Sequence, residues 1–546
     1  MIWAILTVLF FVALLLRVWG ARFGLPEYVY HPDEHAMVNR AAAILRTGDY
    51  SPHWFNYPSL YIYIQALSYI PYFLLSAARG YGNTIPDPAP YGFYFAGRLM
   101  TGLLGALTVP LVYLLASRMF GRKTGLVSSG FIAFNLLHVV HSHYATTDVP
   151  MAFLATVSLL FCLGALKELD GRRTVLAALF AGLAASTKYP GALVLAPVLA
   201  VQGLSPSRRG GPALWRRLAL SLGTFTGGFL LGTPYAVLEL NTFLSSLASV
   251  LGHYGGGQPG FEGTNTFSWY LGQTLTSPDA VVMALAMAGI VWAAVKHTRQ
   301  DLLLLSLALP FYLLVSLWPV RFERNLVPLL PVLAVLAARM LVEAVAWIVR
   351  RWPSLKSRQL PVLAGFTTLA VLAPVKGILD FDAALANKDR RTLAAEWVNA
   401  NLPAGSKIVT EAFSIPLDEE RFDIVELVRI DSEDVAWYQA QAINYVIVSD
   451  GHWRILFAQP EKYAREIATY EEILSRSVVL QEYPGRMPLL LSRGYPTVPV
   501  YHFPDVLILE FDSHHSGSSG LRSTAMQSCT TRMARDRILP GPVLCA

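Results

Sequence analysis

The residues best suited to chemistry lie in three short segments. The first, Tyr30-His31-Pro32-Asp33-Glu34-His35, puts two acids and two histidines at the entry to a helix expected to run to Leu45 and stop at Thr47-Gly48. Proline in the first turn and acids at the positive end of the helix dipole are ordinary helix-start chemistry. A carboxylate held there can also act as a base. Neighbouring residues on a helix do not share a face, so Asp33 and Glu34 cannot have the same role: one is expected to contact substrate and the other to orient or cap. His31-x-x-Glu34-His35 also fits the inverted zinc-protease pattern. Against that, Pro32 sets His31 at or before the helix start, and the sequence offers no obvious third ligand.

The second segment is His141-Ser142-His143-Tyr144-Ala145-Thr146-Thr147-Asp148-Val149-Pro150. Thr147 or Asp148 is a natural N-cap, with Pro150 in the first turn. His138 and His141 are three apart on one helical face, which leaves a divalent metal open, although histidines satisfied at an interface are the simpler expectation. The third segment type is basic. Lys188 sits alone in Ser186-Thr187-Lys188-Tyr189-Pro190-Gly191, and Arg321 and Arg324 lie in Trp318-Pro319-Val320-Arg321-Phe322-Glu323-Arg324-Asn325. Each cation has a bland explanation, by snorkelling or, for Arg324, by pairing with Glu323. Together they suit a bound phosphate, for which a guanidinium fork and an ammonium are complementary. No Gly-rich phosphate loop or Cys-x-x-Cys motif accompanies them, so no cofactor is certain, and metal dependence stays open.

The elements that must position these segments are membrane helices. The chain has 546 residues, 54% hydrophobic and 15% charged, with mean hydropathy +0.44. That is too apolar for a soluble enzyme of this length. The net charge of +6 and pI near 9.0 do not indicate nucleic acid, because the basic residues fall in short clusters between apolar runs. Roughly 20 apolar residues cross a bilayer core. Eleven runs qualify: Ile2–Val18, then 92–118, 124–143, 149–166, 174–187, 189–203, 214–235, 280–295, 302–318, 326–349 and 360–379. The first lacks a cleavage site and reads as an anchor. Basic clusters at Arg118/Arg122/Lys123, Lys167/Arg172/Arg173, Arg208/Arg209/Arg216/Arg217, Lys296/Arg299 and Arg350/Arg351/Lys356/Arg358 occupy alternate loops, as the positive-inside rule requires. The Tyr-rich run 59–78 is then expected to lie in the outer interface rather than to span, which keeps all five clusters cytoplasmic, the N-terminus inside and the C-terminus outside. With this topology, ten of the fourteen acids before residue 380 fall outside: Glu27, Asp33, Glu34, Asp49, Asp87, Asp148, Glu239, Glu262, Asp279 and Glu323. Six of the twelve histidines, including His53, fall in outer-face segments or span ends between His31 and His143. Charges at a membrane boundary are costly unless paired or used, so the outer face reads as a site.

After residue 379 the pattern becomes amphipathic and charged. A helix is expected at Arg390–Asn401, with further helices at Glu433–Ala442 and Glu461–Ser475. Strands are expected at Lys407–Ala412, Asp423–Val428, Tyr445–Ser449, Val478–Glu482 and Val506–Phe511. The chain therefore divides into a membrane region at 1–379, net charge +13, an extracytoplasmic α/β domain at 380–512, net −10, and a Ser/Thr/Arg-rich tail at 513–546 expected to be disordered.

Acids to activate a hydroxyl, cations to hold a phosphate and a membrane boundary point to a lipid-phosphate substrate. In its N-terminal two-thirds the chain resembles the protein O-mannosyltransferase and aminoarabinose transferase superfamily. The shared features are Asp33-Glu34 in the first external loop, Phe55-Asn56-Tyr57-Pro58 entering an aromatic helix, Arg98, Gly121-Arg122, Thr147-Asp148-x-Pro150, Leu183–Gly191 and Arg324–Pro331. The resemblance implies an α-helical polytopic membrane bundle of the type C glycosyltransferase fold, in a bacterial inner (cytoplasmic) membrane. It further implies sugar transfer from a polyprenyl-phosphate donor to a protein, lipid or glycan acceptor at the outer face. Asp33, Glu34 and Asp148 would be the catalytic carboxylates, with Asp33 as base. His31, His35, Tyr57, Arg98, His143, Lys188, Tyr189, Arg321 and Arg324 would contact substrate. The chain departs from the aminoarabinose transferases at Tyr57, where they carry a lysine before the proline, so its acceptor and phosphate contact are expected to differ. A secondary transporter or flippase is the main rival. It would place its charges near the midplane and show inverted repeats, whereas here the acids gather at one face. A receptor anchored by the bundle would need far fewer spans.

Overall fold

The computed structural model describes residues 2–26, 31–80, 84–86, 88–167, 171–204, 212–256, 265–412, 414–449, 453, 456–457, 459–485 and 505–512. They form two compact units, one holding the helices up to Ala384 and the other consisting mainly of residues from Leu385 onward. Of the acids and bases named above, Glu27, Asp87, Glu262, Arg208 and Arg209 lie outside the described residues, as does the tail from Ser513.

The first unit is helical throughout. Its helices are α1 (Ile2–Val18), α2 (Pro32–Thr47), α3 (Leu60–Ala78), α4 (Tyr91–Phe120), α5 (Arg122–Ala133), α6 (Leu136–Ser142), α7 (Asp148–Lys167), α8 (Gly171–Ala185), α9 (Leu195–Leu204) and α10 (Pro212–Gly232). There follow α11 (Tyr235–Leu238), α12 (Leu240–Gly256), α13 (Thr266–Thr276), α14 (Ala280–Lys296), α15 (Arg299–Ser316), α16 (Leu330–Arg351) and α17 (Gln359–Ala386). Each of the eleven apolar runs is mainly helical. Among the described residues six helices are long and apolar enough to cross a membrane: α3, α4, Asp148–Leu166, α15, Glu323–Arg351 and a segment containing α17. The aromatic helix α3 thus meets the same length and composition test as the spans, although its sequence assigns it to the interface. α1, α14 and the helical stretch Tyr189–Leu204 are apolar but shorter.

The run 124–143 is not one straight helix. α5 and α6 meet at an angle of 54°. The Asn135 side chain accepts from His138 N–H at 2.9 Å and so caps α6. The Asp279 carboxylate accepts from Leu136 N–H at 3.1 Å and Leu137 N–H at 3.4 Å. These two caps take up the orphan donors of a new helix start, and the break is therefore stable without proline or glycine.

The second unit holds a five-stranded sheet in the order β2 (Asp423–Leu427), β1 (Lys407–Glu411), β3 (Tyr445–Ser449), β5 (Val506–Phe511) and β4 (Ser477–Tyr483). β1 is parallel to β2 and β3, while β5 is antiparallel to β3 and β4. Period-2 alternation builds two cores. Val409, Val446, Val448, Leu507 and Leu509 pack on one face with Tyr470 and Ile473. Ile408, Ile447, Val506 and Ile508 pack on the other against Ala394 and Val398 of the helix Arg390–Asn401.

Candidate active site

The start of α2 separates helix-start chemistry from reactive chemistry. His31, not an acid, caps the helix: its Nδ1 accepts from Asp33 N–H at 3.2 Å, and Pro32 follows in the first turn. The Asp33 carboxylate is left to make tertiary contacts. It accepts from Arg324 Nη1 at 2.5 Å and from the Tyr57 hydroxyl at 3.1 Å. Glu34, on the next face, is fully buried. It accepts Arg98 Nε and Nη2 at 2.8 Å each and Ala145 N–H at 2.8 Å, while Arg98 Nη1 donates to Ala21 O. The two adjacent acids therefore divide the work, Asp33 partly exposed and Glu34 locked inside.

Asp148 opens α7 and accepts from Lys188 Nζ at 2.6 Å. Lys188 reaches it because the chain doubles back tightly after α8. A Cβ at Gly191 would lie 2.3 Å from Ala184 O, so only glycine permits this corner. Next to Lys188, Tyr189 donates to Phe55 O at 2.5 Å, which fastens the loop carrying Tyr57. Ser59 N–H to Thr233 Oγ1 at 3.1 Å and Leu60 N–H to Ser186 O at 3.1 Å hold the same loop further along.

The two acid–cation pairs belong to one electrostatic cluster. Asp33 is influenced by Lys188, and His31 and Tyr57 are influenced by Asp148. They differ in access: Asp148 and Lys188 are 2% and 6% exposed, Asp33 and Arg324 23% and 11%. The Asp33–Arg324 pair is the more exposed of the two. Burial alone raises the Asp33 carboxyl, but Arg324, His31 and Lys188 outweigh it and hold it down at about 2. Burial pushes His31 down to about 4 against the opposing charge of Asp33, so the ring is neutral near pH 7. Because Nδ1 accepts from Asp33 N–H, the His31 ring proton sits on Nε2, and Arg324 Nη1 lies 3.3 Å from that nitrogen. Two donors thus converge on one space, an arrangement suited to an anion.

The remaining residues named from sequence lie elsewhere in this unit. His35 contacts Asn39 at 3.0 Å and Tyr94 at 3.0 Å, beside α4. His143 is buried, its ring nitrogens each 3.0 Å from the Val139 and Trp19 carbonyls, with Asp382 at 3.4 Å. Arg98 is committed to Glu34, and Arg321, fully buried, lies over the Trp269 ring at 5.4 Å. Thus Asp33, Tyr57, His31, Arg324, Asp148 and Lys188 cluster, whereas the described contacts of His35, His143, Arg98 and Arg321 lie outside that cluster. His31, Glu34 and His35 face three different partners and do not form a metal triad. Among the described residues no three His, Cys, Asp or Glu side chains are grouped to hold a metal ion. Tyr144 was not singled out from sequence, and His141 was named only as a possible metal ligand paired with His138. Tyr144 lies with its ring 4.7 Å from His31 and 5.8 Å from His141, and His141 is drawn into the same electrostatic neighbourhood.

Part of the sequence and the fold as a whole each match known proteins. Residues 94–225, which include Arg98, Asp148 and Lys188, match the family described as dolichyl-phosphate-mannose-protein mannosyltransferase. The fold is similar to that of ArnT from Cupriavidus metallidurans in the apo state, with TM-score 0.52 and 15% identity, over 95% of this chain and 98% of that one. The chain thus shares the fold of ArnT, and the family match covers 94–225 of its residues. The chain is similar in fold to the apo Archaeoglobus fulgidus oligosaccharyltransferase as well, with TM-score 0.52 and 12% identity, over 85% of this chain and 71% of that one. It also aligns with the Cupriavidus metallidurans ArnT bound to undecaprenyl phosphate, with TM-score 0.50 and 15% identity, over 95% and 98% of the two chains. No curated protein matches its sequence. With six helices long and apolar enough to cross a membrane among the described residues, and this fold, the chain is an integral, multi-pass membrane protein.

Proposed function

We propose that the protein transfers a sugar from a polyprenyl-phosphate-linked donor to an acceptor hydroxyl at the outer face of the membrane, inverting the anomeric centre. The observation that carries this reading is the accessible Asp33–Arg324 pair adjoining the closed Asp148–Lys188 pair. Arg324, together with the His31 Nε2–H, receives the donor phosphate. As Arg324 turns to that anion, Asp33 loses its partner and becomes free to take a proton. The acceptor oxygen gives its proton to Asp33 and attacks the anomeric carbon. The bond from that carbon to the phosphate oxygen breaks, and its electron pair stays on the departing polyprenyl phosphate. Arg324 and Lys188 stabilise the extra charge as it develops there. Asp148 keeps Lys188 in place and Glu34 fixes the start of α2, while Arg321, expected from sequence to hold the phosphate, is left out of this assignment because its described contact is with Trp269. Orientation follows the charge pattern: N-terminus inside, with the site and the C-terminal α/β domain outside. The reading is supported by the ArnT structure bound to undecaprenyl phosphate, which shares this fold.

The deciding experiment uses purified full-length protein in lipid nanodiscs and in sealed vesicles, with polyprenyl-phosphate donors carrying labelled sugar and cell-envelope extract as acceptor. Label is expected to move to an acceptor without vectorial movement of the donor. Movement across the vesicle wall with no transfer would establish a flippase instead.

Two variants examine the cations. Lys188→Gln should raise KM for the donor several-fold more than KM for the acceptor, and an effect confined to the acceptor would reverse the assignment. Arg324→Gln bears on pH. In the wild type the Asp33 pKa is depressed, so the stabilisation from the pair is complete above the ordinary carboxylate value of about 4 and is lost as pH falls through about 2. Removing Arg324 leaves the burial and deletes the largest opposing charge. The acid limb of kcat/KM should therefore move up, into or above the ordinary carboxylate range. Superimposable acid limbs for wild type and variant would show that Arg324 does not govern Asp33.

A further inference from the structure

The segment His138–Asp148 is densely hydrogen-bonded, and His141 stands out within it. His138 Nδ1 meets Arg17 Nη2 at 3.1 Å, and Ser142 Oγ donates to His138 O at 2.6 Å. Both ring nitrogens of His143 face backbone carbonyls, Ala145 N–H is bound by Glu34, and Asp148 holds Lys188. His141 is only 4% exposed, yet among the described residues neither Nδ1 nor Nε2 has a hydrogen-bond partner. The hydroxyl of Thr146, 3% exposed and five residues on, also lacks one among the described residues. Burying a polar group without a partner is costly, so an imidazole with both nitrogens unmet calls for an explanation. The charges that act on this ring are those of Asp148, Arg324, His31 and Lys188, the members of the cluster described above. Tyr144 connects them in space, its ring lying against both His31 and His141.

We propose that His141 is a sugar-binding residue, its two ring nitrogens hydrogen-bonding hydroxyl groups of the sugar on the polyprenyl-phosphate donor. The choice of sugar over phosphate follows from donor and acceptor count. A neutral imidazole presents one N–H and one lone pair. The oxygens of a phosphodiester only accept, so they satisfy one nitrogen and repel the other. Sugar hydroxyls both donate and accept and can satisfy the two together. Position agrees with this. The anomeric carbon is one oxygen away from the phosphorus, so a phosphate held by Arg324 and Lys188 brings the sugar ring to the groups beside those cations. Because the contact reads hydroxyl placement, His141 sets which epimer of the donor sugar is preferred.

The inference rests on the proposed donor, and the experiment keeps the two separable. Wild type, His141→Phe and His141→Asn, as full-length proteins in nanodiscs, are titrated with undecaprenyl phosphate alone and with undecaprenyl phosphate bearing mannose, glucose or galactose. Binding is measured directly, and transfer to cell-envelope extract is followed in parallel. His141→Phe keeps a planar ring but removes both nitrogens. It should weaken the preferred sugar-bearing lipid by about 10–100-fold, the loss of two hydrogen bonds in a dry site. Undecaprenyl phosphate alone should bind as it does to wild type, and the spread of affinities among the three sugars should narrow. His141→Asn, whose amide offers one donor group and one acceptor, should recover part of the loss. Equal losses for the bare and sugar-bearing lipids would overturn the proposal and place His141 on the phosphate or in the packing. Unchanged binding of all four lipids by both variants would also overturn it and leave the ring serving bound water only. A wild type that binds the sugar-bearing lipids but transfers nothing would defeat the transferase reading, while the binding comparison would still decide the role of His141.

Discussion

Asp33→Asn should lower sugar transfer by about 10²–10⁴-fold, the usual contribution of a positioned general base, while polyprenyl phosphate binds at least as tightly as to wild type. The asymmetry between catalysis and binding comes from the pair itself. Asp33 accepts from both Arg324 Nη1 and the Tyr57 hydroxyl. An amide at this position keeps an acceptor oxygen for Tyr57 and nearly the same volume, so α2 has no reason to move. What disappears is the negative charge that competes with phosphate for Arg324. In the wild type an incoming phosphate must draw the guanidinium away from a carboxylate; in the variant it meets no such competition. The measurement is single-turnover transfer alongside equilibrium binding of undecaprenyl phosphate. Transfer within a few-fold of wild type would remove Asp33 from the base role. A parallel collapse of binding and transfer would instead make it part of the structural scaffold.

What the sequence revealed and what it hid can be traced to the range of the interactions involved. Each of the five strands beyond residue 400 lies within a few residues of its expected position, because alternation such as Ile408/Val409 and Ile508/Leu509 is written in adjacent residues. The helix Arg390–Asn401 is legible for the same reason, since a local cap from Asp389 starts it. The division of labour between Asp33 and Glu34 also follows from neighbouring positions alone, as adjacent helical residues face apart.

Pairing was not legible. Arg324 and Asp33 are 291 residues apart, and Lys188 and Asp148 are 40 apart. Charge pattern can place all four on one side of a membrane, but only the packed bundle decides that the acids and cations neutralise each other. The kink before α6 shows the same limit. Its second cap is Asp279, which lies 143 residues from Leu136. That kink opens the short helix bearing His138 and His141, and without it the choice between His141 and His143 as the ring facing the site cannot be made. Sequence singled out His143; the bend turns that ring toward Trp19 O and leaves His141 beside Tyr144.

Arg98→Met should have the largest effect on stability, about 3–5 kcal/mol, the cost of leaving one partner of a buried ion pair uncompensated. Arg98 and Glu34 are both fully buried, and their contact is bidentate. With the guanidinium gone, the Glu34 carboxylate keeps only Ala145 N–H among the partners described above, and Ala21 O loses its donor. The same contacts tie α2 to the loop that leads to Asp148, so molecules that survive should lose catalytic rate more than donor affinity. A second change tests whether charge or shape causes the loss. Glu34→Gln in the Arg98→Met background removes the orphaned charge but preserves a carbonyl oxygen for Ala145 N–H. The double variant should therefore recover much of the thermal midpoint lost by the single one, although Ala21 O stays unpaired in both. Thermal unfolding in detergent, followed by loss of soluble monomer, reads both. If the single and double variants unfold at the same temperature, the penalty lies in the lost packing of Arg98, and the buried charge contributes little.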